Sequence, residues 1–339
     1  MQPVNAAHSL NLCLRALAGS VARASNPAIM HERQPSPQGA EAPPSIGFIG
    51  LGAMGWPMAA RLRAAGYPVA AWARSPEAAR RAEQAGMAVA GSASELAGGV
   101  QVLVTNVTST EDVEQVLLGV QGAVHSARPG LLCIDHSTIA PRGARRIAAE
   151  LALRGVGFVD APVSGGEQGA REGRLSIMAG GSPEDFERAL PLLRLHGPTV
   201  TYIGPPGSGQ VAKLCNQLVQ VVNIEGIAEA MRLAAAEGAP LQRVLQALGA
   251  GFAGSRMLDL MGPKMAARDF AAGIQARLHA KDFGLLAQAA AEAGLELPAL
   301  RLVQGQLQAL VEEGWGRDDT SSLLRVLERA AVSRGSAGS

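Results

Sequence analysis

From Ser45 onward, short apolar runs end in glycine or a polar turn and give way to stretches with an apolar residue every three or four positions. The first run, Ser45-Ile-Gly-Phe-Ile-Gly50, is followed by Met54, Met58 and Leu62, the spacing of a helix face. Similar runs predict strands near 68–74, 101–106, 131–137, 157–164, 175–181 and 199–204, with helices near 75–86, 110–118 and 141–154 between the early ones. These strands are continuously apolar rather than alternating, which is the pattern of a parallel sheet covered on both faces. After Gly209 the strand-like runs stop and every segment reads as helix. The pattern predicts an α/β domain over 45–207, an all-helical domain over 208–330 and a polar tail over 331–339. Residues 1–44 carry no acid before Glu32, a Pro-rich stretch from Gln34 to Pro44 and no lasting period. They read as a disordered extension, as the result of an early start codon with Met30 as the true start, or as a targeting segment.

Composition narrows the function. A chain of 339 residues suits two domains, and a net charge of +1 with 17% charged residues lacks the basic excess of nucleic-acid or membrane-surface proteins. No apolar run reaches the roughly 18 residues of a membrane span. Cys13, Cys133 and Cys215 form no CxxC pair and are too scattered for a disulfide framework, so a cytoplasmic, reducing location is expected. Histidines show no metal-ligand spacing, and no metal is expected. Of the 30 basic residues only Lys213, Lys264 and Lys281 are lysine. Lysine, unlike arginine, can give and take a proton, so their positions matter.

Gly50-Leu-Gly52-Ala-Met-Gly55 fits G-x-G-x-x-G between the first strand and the first helix. There the glycines permit a tight turn, close backbone approach to a pyrophosphate and close helix–strand packing, while the helix directs its N–H groups at the phosphates. Gly50, Leu51, Gly52, Ala53, Met54 and Gly55 are thus candidate dinucleotide contacts. A site for NAD usually places an acid at the end of the second strand. Here Ala71-Trp-Ala-Arg74-Ser75 offers a guanidinium and a hydroxyl instead, so Arg74 and Ser75 point to NADP, with NAD still possible.

On a helix, Lys213, Asn216, Gln217 and Gln220 fall on one face, beside an apolar stripe of Val211, Leu214, Cys215, Leu218, Val221 and Val222 that is expected to be core. One ammonium among uncharged amides makes a cleft lining rather than a solvated surface. Reducing a carbonyl by hydride transfer creates an alkoxide that needs a proton, and Lys213 is the candidate donor, with Asn216 orienting either the ammonium or the substrate oxygen. Ser164, Gly165 and Gly166 follow a strand, where a hydroxyl and two glycine N–H groups suit a substrate carboxylate.

These residues resemble the β-hydroxyacid dehydrogenase family, which takes in 3-hydroxyisobutyrate dehydrogenase, tartronate semialdehyde reductase and the more distant 6-phosphogluconate dehydrogenase. Four ordered blocks carry the likeness: Gly47 to Ala59, Asp160 to Ala170, Gly207 to Gln217 and Leu278-His-Ala-Lys-Asp282. The resemblance implies a Rossmann dinucleotide-binding domain followed by an all-α domain, as in 6-phosphogluconate dehydrogenase. It also implies Lys213 and Asn216 as catalytic residues, and Ser164, Gly165, Gly166, Thr138 and Gln217 as substrate contacts. Thr138 would also lie near the nicotinamide, with Lys281 and Asp282 closing over the cofactor, and a homodimer or homotetramer is implied. Residues 216–256 look most similar to the members that reduce tartronate semialdehyde to glycerate. The same family also takes 3-hydroxyisobutyrate and succinate semialdehyde. An imine reductase and a non-catalytic dinucleotide sensor on this scaffold are further readings. The resemblance implies that the former generally lack the lysine and that the latter would be expected to lose it, so Lys213 weighs against both. Arg174, His136, Asn106-Val-Thr108 and Ile274 depart from the family pattern and leave the exact small carboxylate substrate open.

Overall fold

The computed structural model describes residues 42–335, so the disordered extension, Met30 start or targeting segment expected within 1–41, and the end of the polar tail at 336–339, lie outside the described residues. Its first part runs β1 (Ile46–Ile49), α1 (Gly55–Ala64), β2 (Val69–Trp72), α2 (Pro76–Gln84), β3 (Ala88–Val89), α3 (Ala93–Gly98), β4 (Val102–Thr105), α4 (Thr110–Leu118), β5 (Leu132–Asp135) and α5 (Pro141–Ala152). It continues with β6 (Gly157–Asp160), β7 (Val163–Ser164), α6 (Gly166–Glu172), β8 (Ser176–Gly180), α7 (Pro183–His196) and β9 (Thr199–Gly204). Only helices follow: α8 (Ser208–Ala236), α9 (Leu241–Ala250), α10 (Arg256–Ala267), α11 (Ala276–Glu292), α12 (Pro298–Glu312) and α13 (Leu323–Gly335). α13 therefore extends into the stretch expected to be tail.

The sheet has the order β3-β2-β1-β4-β5-β6-β8-β7, with β9 paired to β8. Its apolar runs have a simple cause. Successive strand residues point to opposite faces, and over β1, β4, β5 and β6 both faces are covered. β9, at the edge beside β8, is mostly exposed, contrary to the expectation for 199–204. Ile46, Phe48, Val102, Val104, Leu132 and Ile134 join one core under α1 and α7. Ile49, Leu103, Cys133 and Phe158 join another under α3, α4 and α5. The expectation of a parallel sheet needs one correction: β8 runs antiparallel to β6 and β7. The segment 157–164 is two short strands interrupted at Ala161-Pro162, and the short α6 only turns the chain back, so β8 returns beside β7 instead of crossing over.

The 29-residue α8 links the two cores. It starts against β6, β8 and β9, then becomes the centre of a bundle in which Leu214, Val221, Ile224 and Met231 pack with residues of α10 to α13. The stripe expected to be core is split. Leu214 and Val221 are buried, whereas Val211 and Cys215 are exposed, because the partner helices cover only one side of α8. No described helix is long and apolar enough to cross a membrane, and no cluster of three or more metal-ligating side chains occurs among the described residues.

Candidate active site

The glycine turn after β1 is shaped by steric necessity. Gly50 has φ +96°, and a Cβ there would lie 2.1 Å from the Asn106 carbonyl oxygen; one on Gly55 would lie 1.9 Å from that of Gly50. A Cβ on Gly52 would meet nothing within 4 Å, so its surroundings are open. α1 begins with no side-chain cap and no acid in its first turn, leaving its N–H groups and dipole for an anion. A cavity of about 1050 Å³ opens here, lined by Gly50, Leu51, Gly52, Arg74, Ser75 and Asp112 among others. Ala53 is exposed beside it and Met54 packs on the sheet core. These features fit a dinucleotide whose pyrophosphate rests on the turn. Arg74 Nη1 lies 3.1 Å from Asp112 Oδ1, while Ser75 Oγ accepts from Ala78 N at 3.3 Å and caps α2.

Lys213, Asn216, Gln217 and Asp282 form a second group and are not among the residues that line that cavity. Lys213, 7% exposed, donates from Nζ to Gln217 Oε1 at 3.0 Å. Asn216 Nδ2 donates to the same oxygen at 2.9 Å, and Gln217 Nε2 donates to Asp282 Oδ2 at 2.7 Å. The α8 spacing predicted in sequence does bring the ammonium and two amides together, whereas Gln220 is not part of this hydrogen-bonded group. Gln217 uses both ends of its amide on these side chains, which makes it the bridge between Lys213 and Asp282. Burial pushes the Lys213 amine down to about 8, with Asp282 opposing and Lys281 adding to the shift.

Lys281 carries the network across to the sheet. Its Nζ sits 3.0 Å from Asp282 Oδ1 and donates to the carbonyls of Thr138, at 2.8 Å, and Thr108, at 3.1 Å. Thr108 also lines the large cavity. One side chain of the helical bundle thus holds the loops after β4 and β5. Lys281→Met removes both bonds, and faster hydrogen exchange is expected in the loops 106–109 and 137–140, with exchange in the sheet core unchanged. Equal exchange in the two proteins would show that the loops are held by other contacts.

Several supporting residues were not singled out from sequence. Asp160, at the end of β6, accepts from Gly207 N at 2.7 Å and Gln210 N at 2.9 Å, so it caps α8. Burial pushes its carboxyl up to about 7 against the pull of these N–H donors. The Gln210 side chain accepts from Ile139 N at 3.0 Å and donates to the Ser137 carbonyl at 2.8 Å, fixing the loop that contains Thr138. Gly209 is required by close approach, since a Cβ there would lie 2.5 Å from the carbonyl oxygens of Asp160 and Met178. His279, one turn before Asp282 on α11, is 1% exposed and pairs through Nδ1 with Thr320 Oγ1 at 2.8 Å. Burial pushes it down to about 4, so it stands neutral. The signal for Asp160, Gln210 and His279 was their place inside the motif blocks; their partners are distant in sequence.

Ser164 is half-buried at the end of β7, and Gly165 and Gly166 take φ +139° and +64° as α6 begins. No hydrogen bond joins these three to the lysine network among the described residues. The departures from the family pattern make local bonds. His136 Nδ1 pairs with the Ala161 carbonyl at 2.7 Å, and burial pushes it down to about 4. Asn106 Nδ2 approaches Met58 Sδ at 3.4 Å, and Arg174 pairs with Glu172 at the surface. Lys264, the lysine outside the motif blocks, donates to the Ala271 carbonyl at 2.7 Å.

Residues 45–204 match the family model for the NAD binding domain of 6-phosphogluconate dehydrogenase, and residues 207–327 match that for the NAD-binding of NADP-dependent 3-hydroxyisobutyrate dehydrogenase. The chain is 38% identical over 286 residues to 2-hydroxy-3-oxopropionate reductase of Escherichia coli, covering 84% of this chain and 98% of the relative. The chain belongs to the 3-hydroxyisobutyrate dehydrogenase-like family of β-hydroxyacid dehydrogenases. Within this family it is 35% identical over 290 residues to the NAD-dependent L-serine dehydrogenase of Pseudomonas aeruginosa, with 84% of this chain and 97% of the relative covered. The fold is similar to Mycobacterium tuberculosis 3-hydroxyisobutyrate dehydrogenase with L-serine, at TM-score 0.79 and 32% identity over 84% of this chain and 99% of that one. Membership makes the protein an NAD(P)-dependent oxidoreductase of hydroxy acids with a Rossmann domain ahead of a helical one, as its motif blocks implied.

Proposed function

We propose that this β-hydroxyacid dehydrogenase reduces short 3-oxo acids, with tartronate semialdehyde (2-hydroxy-3-oxopropionate) going to glycerate as the leading reaction and NADPH as the preferred cofactor. The observation that carries this reading is the buried Lys213 ammonium, held by Gln217 against Asp282 where the helical bundle meets the loops of the sheet. When bound, the dihydronicotinamide supplies the hydride. Lys213 protonates the substrate oxygen as charge develops on it, and in the reverse direction takes that proton back. Asn216 and Gln217 orient the ammonium. Ser164 and the N–H groups of Gly165 and Gly166 receive the substrate carboxylate, and Thr138, held by Lys281, borders the reacting centre. Gly50 to Gly55 receive the pyrophosphate and Arg74, with Ser75, the 2′-phosphate. The absence of an acid at the end of β2 supports NADPH over NADH. The likeness to the E. coli reductase supports the substrate. An exposed apolar stripe on α8, including Val211, Val219 and Leu233, supports assembly with a second copy. The unbonded thiols of Cys133 and Cys215 are in keeping with a reducing compartment such as the cytoplasm.

A panel of tartronate, succinate and methylmalonate semialdehydes, followed at the nicotinamide absorbance with NADPH and with NADH, tests the assignment. The highest kcat/KM is expected for tartronate semialdehyde with NADPH. Oxidation of neither cofactor with any of the three would sink the proposal. The pH dependence follows from the lowered Lys213 pKa of about 8. Reduction needs the protonated amine, so its rate is expected to hold level below pH 8 and fall about tenfold per pH unit above it. Oxidation of the hydroxy acid needs the free amine and is expected to show the opposite limb. A flat reductive profile across that range would remove Lys213 from the proton path.

A further inference from the structure

We propose that Asp112 sets how strongly the protein prefers NADPH to NADH, by competing with the 2′-phosphate for Arg74; this rests on the reading of Arg74 as the phosphate's partner. Both side chains line the same cavity, and Arg74 Nη1 lies 3.1 Å from Asp112 Oδ1. The pair is mechanically unequal. The Arg74 side chain is 79% exposed and reaches across from the end of β2, whereas that of Asp112 is 23% exposed. Asp112 is held at the start of α4: its backbone N–H donates to Ser109 Oγ at 3.1 Å, and Ser109 Oγ in turn donates to Asp112 Oδ2 at 3.2 Å. Its charge is also favoured by the positive end of the α4 dipole. The carboxylate is therefore fixed and the guanidinium is movable.

The consequence differs for the two cofactors. An adenosine ribose without phosphate leaves the Arg74–Asp112 pair intact. A 2′-phosphate must draw Arg74 from Asp112, leaving a fixed carboxylate unpaired close to a phosphate that carries nearly two negative charges. Asp112 thus opposes NADPH and spares NADH, so it narrows a preference that Arg74 alone would make wide. The acid usual at the end of the second strand is missing here, and its discriminating effect is returned in part from α4.

Dissociation constants of NADPH and NADH, read from cofactor fluorescence without substrate, test this on the full chain. Asp112→Asn is expected to tighten NADPH about three- to fivefold, the range for an exposed ion pair, and to change NADH less than twofold. Raising salt from about 0.02 to 0.5 M should shrink the gain, because the charges involved face solvent. Equal changes for both cofactors, no change, or weaker NADPH binding would overturn the role of Asp112; equal changes accompanied by a lower melting temperature would assign it to capping α4. Arg74→Ala separates this from the underlying reading. If it weakens NADPH selectively while Asp112→Asn does not discriminate, only the inference about Asp112 fails. If Arg74→Ala affects both cofactors alike, the phosphate assignment and the inference fall together.

Discussion

Lys213→Met is expected to lower the turnover of aldehyde reduction by about 10²–10⁴-fold, the usual range for losing a positioned proton donor, which corresponds to roughly 3–5.5 kcal/mol of barrier. Cofactor binding should stay within about twofold, since Lys213 does not line the cavity at the glycine turn. Stability should also hold. A buried ammonium is costly to desolvate, methionine has similar length, and Asp282 keeps the Gln217 amide at 2.7 Å and the Lys281 ammonium at 3.0 Å. Lys213→Arg preserves charge but cannot release a proton near neutral pH, so it is expected to be almost as slow. Single-turnover kinetics with saturating NADPH measure the effect directly. Turnover near the wild-type level in either variant, with the fold intact, would leave the network around Gln217 without a catalytic purpose.

What could be read from the chain beforehand follows from how local each signal is. The βα order of the sheet and the helical second half were legible because burial on both faces makes strands continuously apolar and helices periodic within a few residues. The turn at Gly50–Gly55 was legible because steric demands repeat at fixed spacing. The grouping of Lys213, Asn216 and Gln217 was legible because helical geometry alone brings them together. The antiparallel return of β8 was not, since strand direction depends on how the short α6 packs and not on the strand's own residues. Cys215 was misplaced because the apolar stripe of α8 shows no sign of which side its partner helices cover. The partners of Asp160, Gln210 and Asp112 were hidden for another reason. Each bond spans two elements, as in the 50 residues between Asp160 and Gln210 or the 38 between Arg74 and Asp112, and a single sequence carries no trace of such pairings.

Asp160→Ala is the structural substitution with the largest expected effect. The carboxylate is fully buried and meets two backbone N–H groups at the first turn of α8, at 2.7 and 2.9 Å. Packing around it is tight: a Cβ on Gly180 would lie 2.6 Å from Asp160 Oδ1, and one on Gly209 2.9 Å from Oδ2. Alanine leaves both N–H groups buried without acceptors, each costing about 1–3 kcal/mol, and leaves a void where the carboxylate was. A total near 3–5 kcal/mol should lower the melting temperature by about 10 °C, at roughly 2–4 °C per kcal/mol for a domain of this size. Asp160→Asn keeps one acceptor but sets an amide N–H₂ against the other backbone N–H, so its loss should be about half as large. The damage is also expected to reach turnover. Gln210, whose backbone N–H is freed, holds Ser137 and Ile139 through its side chain and stands one helical turn before Lys213. Below the new melting temperature, the alanine variant should therefore lose kcat while its affinity for NADPH changes little. An unchanged melting temperature would mean that the start of α8 is secured by the packing of Gly209 alone, and that the carboxylate is not the joint between sheet and bundle.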